Sequence, residues 1–273
     1  MRPSLRYACV RAFTAFVMPL LLALFLAGCG GSPPVSSDGS ESVSLVIAAA
    51  SDLRFAFPEL GEVFEQETGI AVTFNFGSTG QLARQIEQGA PIDVFAAANV
   101  SFVEDLISKG HIIPDTRALY ARGFIILWTR EDSPLRFERI GDLLQPGVQR
   151  ISIANPAHAP YGQAAEQALR SAGIWDQVQP KLVLGENVNQ AFQFAQTGNV
   201  DVGIIALSLG IVAEGGRYAT VPQQLHQPID QGLGVVSTTQ QEREARAFAD
   251  FVNGPVGRPL MERYGFVLPE EAQ

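Results

Sequence analysis

Cysteine is nearly absent from this chain: Cys9 and Cys29 are the two in 273 residues, and both lie near one end. A disulfide framework is therefore excluded. Histidine is almost as scarce, and His111, His158 and His226 are too scattered for the close ligand spacing of a metal site. Positive charge is short as well. With 19 Lys and Arg against 28 Asp and Glu, the net charge of −9 repels nucleic acid and gives no broad basic field to steer an anion. The glycines form no dinucleotide fingerprint and no P-loop, and no G-x-S-x-G elbow surrounds a serine. There is no internal repeat and no charge block long enough for an interaction tail. One long apolar run exists, "AFVMPLLLALFLAG", and it is too short to cross a bilayer comfortably.

That run has the marks of an export signal. Arg2, Arg6 and Arg11 precede it without any acid, and it ends at the small-residue site "LAGC", residues 26 to 29. The site resembles a bacterial lipobox, which would remove residues 1–28 and leave Cys29 as a lipidated first residue. Gly30 behind it is compatible with outer-membrane sorting if the bearer has two membranes. The competing reading is an uncleaved anchor with a free thiol. Residues 29–42, with "GGSPPVSSDGSES" after the cysteine, have the small, polar and proline-containing composition of a flexible tether. Loss of the three signal arginines takes the net charge from −9 to −12. From residue 43 onward, 231 residues remain, enough for a large core and more often two lobes than one.

Within those residues, short apolar runs alternate with helical patterns, the arrangement of βαβ units and parallel sheets. The strands expected are "SLVIAA" (44–49), "AVTFNF" (71–76), "DVFAAA" (93–98), "GFIILWT" (123–129), "RISIA" (150–154), "KLVLG" (181–185), "DVGIIAL" (201–207) and "LGVVS" (233–237). Helices are expected over "FPELGEVFEQETG", "TGQLARQIEQG", "NVSFVEDLISKG", "GQAAEQALRSAG" and "NQAFQFAQTGN". Gly69, Gly89, Gly110, Gly173 and Gly198 stand where helix C-termini need a left-handed residue. The fold class is α/β.

In open α/β sheets, ligands gather where strand C-termini meet helix N-termini. Four such junctions here consist largely of small or hydroxyl residues: "AAASDL", "FGSTGQ", "NPAHAPYGQ" and "GENVNQ". A helix start carries unpaired N–H groups and about half a positive charge, so it can receive an anion without lysine or arginine. Four converging starts would make an anion cage inside an acidic protein. Each junction also has a plainer explanation. Ser51 and Ser78 could cap their own helices, and Asn155-Pro156, Ala159-Pro160 and Gly162 could be turn punctuation.

The blocks "AAASDLRFAFPEL", "FGSTGQLARQIEQGAPIDVFAAAN", "NPAHAPYGQAAEQAL" and "KLVLGENVNQAFQFAQTGNVDVGIIALSL" resemble the periplasmic molybdate-binding proteins of ABC importers, from about residue 45 to the closing "RYGFVLP". The resemblance implies the type II periplasmic binding protein fold, two α/β lobes that close over a tetrahedral oxyanion, each lobe a mostly parallel sheet flanked by helices. It places lobe 1 over about 43–124 plus 232–273 and lobe 2 over about 125–231, with hinges near "GFII" and "DQGLG". Ser51 and Ser78 would each give a hydroxyl and a backbone N–H from the first lobe. Tyr161 and Val188 would each give a backbone N–H from the second, so that their side chains matter little to the contact. The alanines before Ser51 would make room for the anion. Ala206 stands where some members have a tyrosine hydroxyl, and the Asp52 N–H could replace that donor. The Asp52 carboxylate, at the first turn of a helix, would point to solvent; turned inward, it could accept a proton from an anion such as hydrogen phosphate.

The resemblance thus implies an extracytoplasmic, lipid-anchored, monomeric binding protein. It would have no cofactor and no catalysis, and would capture molybdate or tungstate for an ABC permease. A cage of N–H and hydroxyl groups prefers a fully deprotonated dianion, since a bound O–H facing donors leaves buried groups unpaired. Two alternatives remain open: a receptor for sulfate or phosphate, and a secreted hydrolase using a serine with His158, three residues before Tyr161. A transcriptional regulator would need a DNA-binding helix pair where the export signal stands.

Overall fold

The alternating pattern resolves into two five-stranded sheets in the computed structural model, which describes residues 44–268. The expected export signal, Cys29 and the expected tether at 29–42 lie outside the described residues. In chain order the strands are β1 (Ser44–Ala50), β2 (Ala71–Gly77), β3 (Val94–Ala97), β4 (Ala118–Gly123), β5 (Ile125–Arg130), β6 (Ile151–Ala154), β7 (Leu182–Gly185), β8 (Val202–Ala206), β9 (Gly216–Thr220) and β10 (Ile229–Val235). The helices are α1 (Ala56–Thr68), α2 (Thr79–Glu87), α3 (Val100–Ser108), α4 (Pro160–Ser171), α5 (Trp175–Val178), α6 (Val188–Gln196), α7 (Leu207–Gly210), α8 (Glu242–Val252) and α9 (Gly257–Arg263).

The first sheet has the order β2-β1-β3-β10-β4 and the second β7-β6-β8-β5-β9. In each, four strands run one way and a single strand opposes them: β10 is antiparallel to both β3 and β4, and β5 to both β8 and β9. The parallel pairs β1–β2, β1–β3, β6–β7 and β6–β8 are the βαβ units that the pattern predicts. Central strands of this kind are covered on both faces and read as unbroken apolar runs, as in β1, where Leu45 and Ile47 through Ala50 are all buried.

β4 and β9 are additions to the strands read from the sequence. Both are outer strands of their sheets, and "ALYARG" and "GRYAT" each carry an arginine and only partial burial. Edge strands often hold charge on the exposed side, which erases the apolar signal. β10 starts four residues earlier than "LGVVS", because Asp230 and Gln231 interrupt its apolar pattern.

The helices cover the sheets with apolar faces. On α1, Phe57, Leu60 and Phe64 are wholly buried, and Phe57 and Phe64 meet Phe248 of α8 edge-on at centroid distances of 6.0 and 5.3 Å. Burying each such ring stabilises the fold by about 1.5–3 kcal/mol. Helix α1 ends at Gly69, whose φ of 73° lets its N–H return to the Glu65 carbonyl. The other four expected C-terminal glycines also have positive φ.

The chain passes from the first sheet to the second at Phe124, between β4 and β5, and returns between β9 and β10. Beside the crossing, Arg122 of β4 faces Asp230 of β10 across the ladder and donates to it at 2.5 and 3.1 Å.

Candidate functional site

The C-terminal ends of the parallel strands from both sheets meet at one small cavity. From the first half it is lined by Ala50, Ser51 and Asp52 after β1, by Gly77, Ser78 and Thr79 after β2, and by Ala98 after β3. From the second half come Ala159, Pro160 and Tyr161 before and within α4, and Val188 at the start of α6. The cavity measures about 10 Å³. That is about the space of a single water, against about 300–1,000 Å³ for sites that take drug-sized organic ligands.

Each wall is the start of a helical segment. Ser51 opens a short 3-10 turn, Ser51–Leu53. Ser78 is the N-cap of α2, Pro160 and Tyr161 are the first two residues of α4, and Val188 is the first of α6. First-turn N–H groups have no partner within their own helix. In α6 the Asn187 side chain takes up the Gln190 N–H at 3.0 Å, which leaves the earlier donors of that turn to the cavity. No lysine or arginine lines the space. Its positive potential comes from helix ends.

The five residues expected to bind the anion, Ser51, Asp52, Ser78, Tyr161 and Val188, therefore line one space. The plain capping explanation does not hold for Ser78, whose side chain makes no cap bond. Instead its Oγ lies 2.6 Å from His158 Nδ1 and donates to the His158 carbonyl at 3.0 Å, across the boundary between the halves. His158 is buried, and burial lowers its pKa below the ordinary value. Of the three alanines before Ser51, only Ala50 lines the cavity; Ala48 and Ala49 pack in the core on opposite faces of β1. Ala206, buried at the end of β8, is not among the lining residues.

Two expectations need correction. The Asp52 carboxylate does not point to solvent: the residue is 1% exposed. The 3-10 turn aims it inward, where Oδ2 accepts hydrogen bonds from Tyr161 Oη at 2.9 Å and from Gln231 Nε2 at 2.6 Å, while the buried Oδ1 has no partner. The Tyr161 side chain is therefore not incidental. Its phenol joins the half carrying α4 to the half carrying β1, and Gln231 Nε2 lies 3.0 Å from it as well. Burial pushes the Asp52 carboxyl up to about 6, against the opposing effect of these two hydrogen bonds. Burial, with Asp52 nearby, likewise pushes the Tyr120 and Tyr161 phenols well above their ordinary range.

Further contacts draw the halves together. Gly80 N–H donates to the His158 carbonyl at 2.9 Å, Gln81 Nε2 to Glu186 at 2.8 Å, and Ser208 Oγ to the Asp52 carbonyl at 2.8 Å. Sequence reading passed over Gln231 and Ser208. The available signal was polarity out of place: Gln231 interrupts the apolar pattern of β10 and is completely buried.

The arrangement can hold a small anion by N–H and hydroxyl donors from both halves, with no lysine or arginine in the lining. Comparison with known proteins agrees. Residues 45–267 match the family described as bacterial extracellular solute-binding protein. The molybdate-binding protein ModA of Rhodobacter capsulatus is 36% identical over 223 residues, covering 82% of this chain and 88% of that protein. ModA of Azotobacter vinelandii is 33% identical, covering 84% and 92%. The solved structure of the Azotobacter vinelandii periplasmic molybdate-binding protein superimposes with a TM-score of 0.78 and 31% identity, over 83% of this chain and all of that one. The periplasmic binding protein fold expected from the sequence is thus the fold observed, and the chain belongs to the bacterial extracellular solute-binding protein family.

Proposed function

We propose that this chain is the extracytoplasmic receptor of an ABC importer and captures molybdate or tungstate between its two halves. The observation that carries the reading is the convergence of four helical starts on one small cavity without a cation in its lining. Ser51 supplies a hydroxyl and an N–H, Ser78 an N–H and a hydroxyl that turns its proton from the His158 carbonyl to the anion, Tyr161 and Val188 supply N–H groups, and the Asp52 N–H takes the place of the donor missing at Ala206. A tetrahedral dianion accepts from all of them at once. The relatives named for molybdate support the choice of anion.

Lobe 1 comprises about 43–124 and 232–273, lobe 2 about 125–231, and the crossings between the sheets act as hinges. Binding shuts the cleft, because donors from both lobes are satisfied only together. The closed face is what the permease recognises, and the protein works as a monomer held to the membrane by lipid on Cys29. Substrate is carried and not transformed. Ser78 Oγ is engaged by both the carbonyl and the ring of His158, which suits a latch between lobes better than a nucleophile awaiting substrate.

Calorimetric titration of the wild type and of the Ser51→Ala, Ser78→Ala double variant with molybdate tests the reading. Loss of two charge-assisted donors should weaken binding by about 2–6 kcal/mol. An unchanged affinity would place the anion elsewhere.

A further inference from the structure

Asp52 is the one acidic residue in the cavity lining, and it is placed where a carboxylate is hardest to keep charged. It is fully buried, and its partners Tyr161 from α4 and Gln231 from β10 are neutral donors that satisfy only Oδ2. The groups that face it from the surrounding elements bring no positive charge. β4 offers the Tyr120 phenol, α7 the Ser208 hydroxyl to the Asp52 carbonyl, and α6 the apolar Val188. Arg122 is paired with Asp230, and His158 is held by Ser78. Bringing a dianion into the same small space sets like charges side by side, which disfavours the charged carboxylate further.

Resting on the anion-receptor reading above, we propose that Asp52 takes up one proton from solvent as the cavity closes over its anion. Anion capture is then coupled to protonation of a single buried carboxyl. The proton sits on Oδ1, the oxygen without a partner, while Tyr161 Oη and Gln231 Nε2 continue to donate to Oδ2. Asp52 is a positioning residue in this scheme: neutral, it holds the lobes together through Tyr161 without repelling the anion beside it.

The sign follows from linkage. In the open form the carboxyl titrates near the ordinary value of about 3.9, and burial raises it to about 6. The closed form therefore binds the proton more tightly, and closure becomes easier as pH falls from about 6 toward about 4 and gains nothing further below that. A nearby dianion moves the upper limit higher still.

Calorimetric titration of the full chain with sodium molybdate, in buffers of different ionisation enthalpy, reads the protons taken up per anion. The wild type should take up about half a proton or more at pH 6, less at pH 8, and should bind about tenfold more tightly at pH 5 than at pH 8. Asp52→Asn, which keeps the shape of the carboxyl, should bind without proton uptake, whereas His158→Gln should retain it. Protonation of the free anion moves all three chains alike. Should Asp52→Asn fail to fold, the wild type and His158→Gln decide the matter. Binding without uptake in the wild type at pH 6, or uptake that survives Asp52→Asn or vanishes in His158→Gln, would overturn the proposal. Absence of molybdate binding at every pH would instead overturn the receptor reading.

Discussion

Tyr161 shows how a single side chain can serve two ends of one site. Its backbone N–H opens helix α4 toward the cavity, while its phenol reaches back to Asp52 in the other half. The resemblance alone suggested that Phe would do as well. With the phenol buried against a carboxyl, Tyr161→Phe should weaken molybdate binding by about 1–3 kcal/mol, because closure then leaves Asp52 with one donor instead of two. Calorimetric titration reads this directly, and an unchanged dissociation constant would show that the clasp contributes nothing. Ser51 and Ser78 were legible from sequence because they follow apolar strands and precede helical patterns. The direction of the Asp52 side chain was not, because its partners Tyr161 and Gln231 are distant in sequence and meet it only in the folded chain.

At the scale of elements, the approach of α2 to the loop before α4 is a close one. Gly80, in the first turn of α2, lies so near that loop that an added Cβ would fall 2.8 Å from the His158 carbonyl oxygen and 3.1 Å from its Cβ. Alanine is intrinsically better than glycine in a helix by about 1 kcal/mol. Gly80→Ala should therefore move stability and function in opposite directions. The melting temperature of the ligand-free protein should stay level or rise, while molybdate affinity falls by about 1–3 kcal/mol from the forced separation of the lobes. A fall in both would mean that α2 is strained within its own lobe. The βαβ elements were readable because parallel strands are continuous apolar runs punctuated by helix caps. β4 and β9 were not, since each lies at a sheet edge where arginine and exposed positions break the pattern.

For the whole molecule, charge sets the terms of capture. The chain carries −9, so an approaching anion meets repulsion at long range and attraction only at the helix starts. Salt screens the long-range part first. The association rate constant for molybdate should accordingly rise with added sodium chloride in stopped-flow measurements, and a steep fall would reveal a basic steering surface that the sequence does not contain. Two sheets were foreseeable from length and from the two groups of βαβ units. The contacts that join them were not, because Ser78–His158, Asp52–Tyr161 and Ser208–Asp52 each pair residues from different halves.

The most direct test of the anion cage is a thermal-shift panel on the ligand-stripped protein against molybdate, tungstate, sulfate and phosphate. Anion at about one hundred times its dissociation constant should add about 2.7 kcal/mol, roughly 5–11 °C for a chain of this size. Molybdate and tungstate should both give that shift and phosphate none. A shift with phosphate in place of molybdate, or no shift with any of the four, would contradict a cavity built from helix starts to hold a deprotonated dianion.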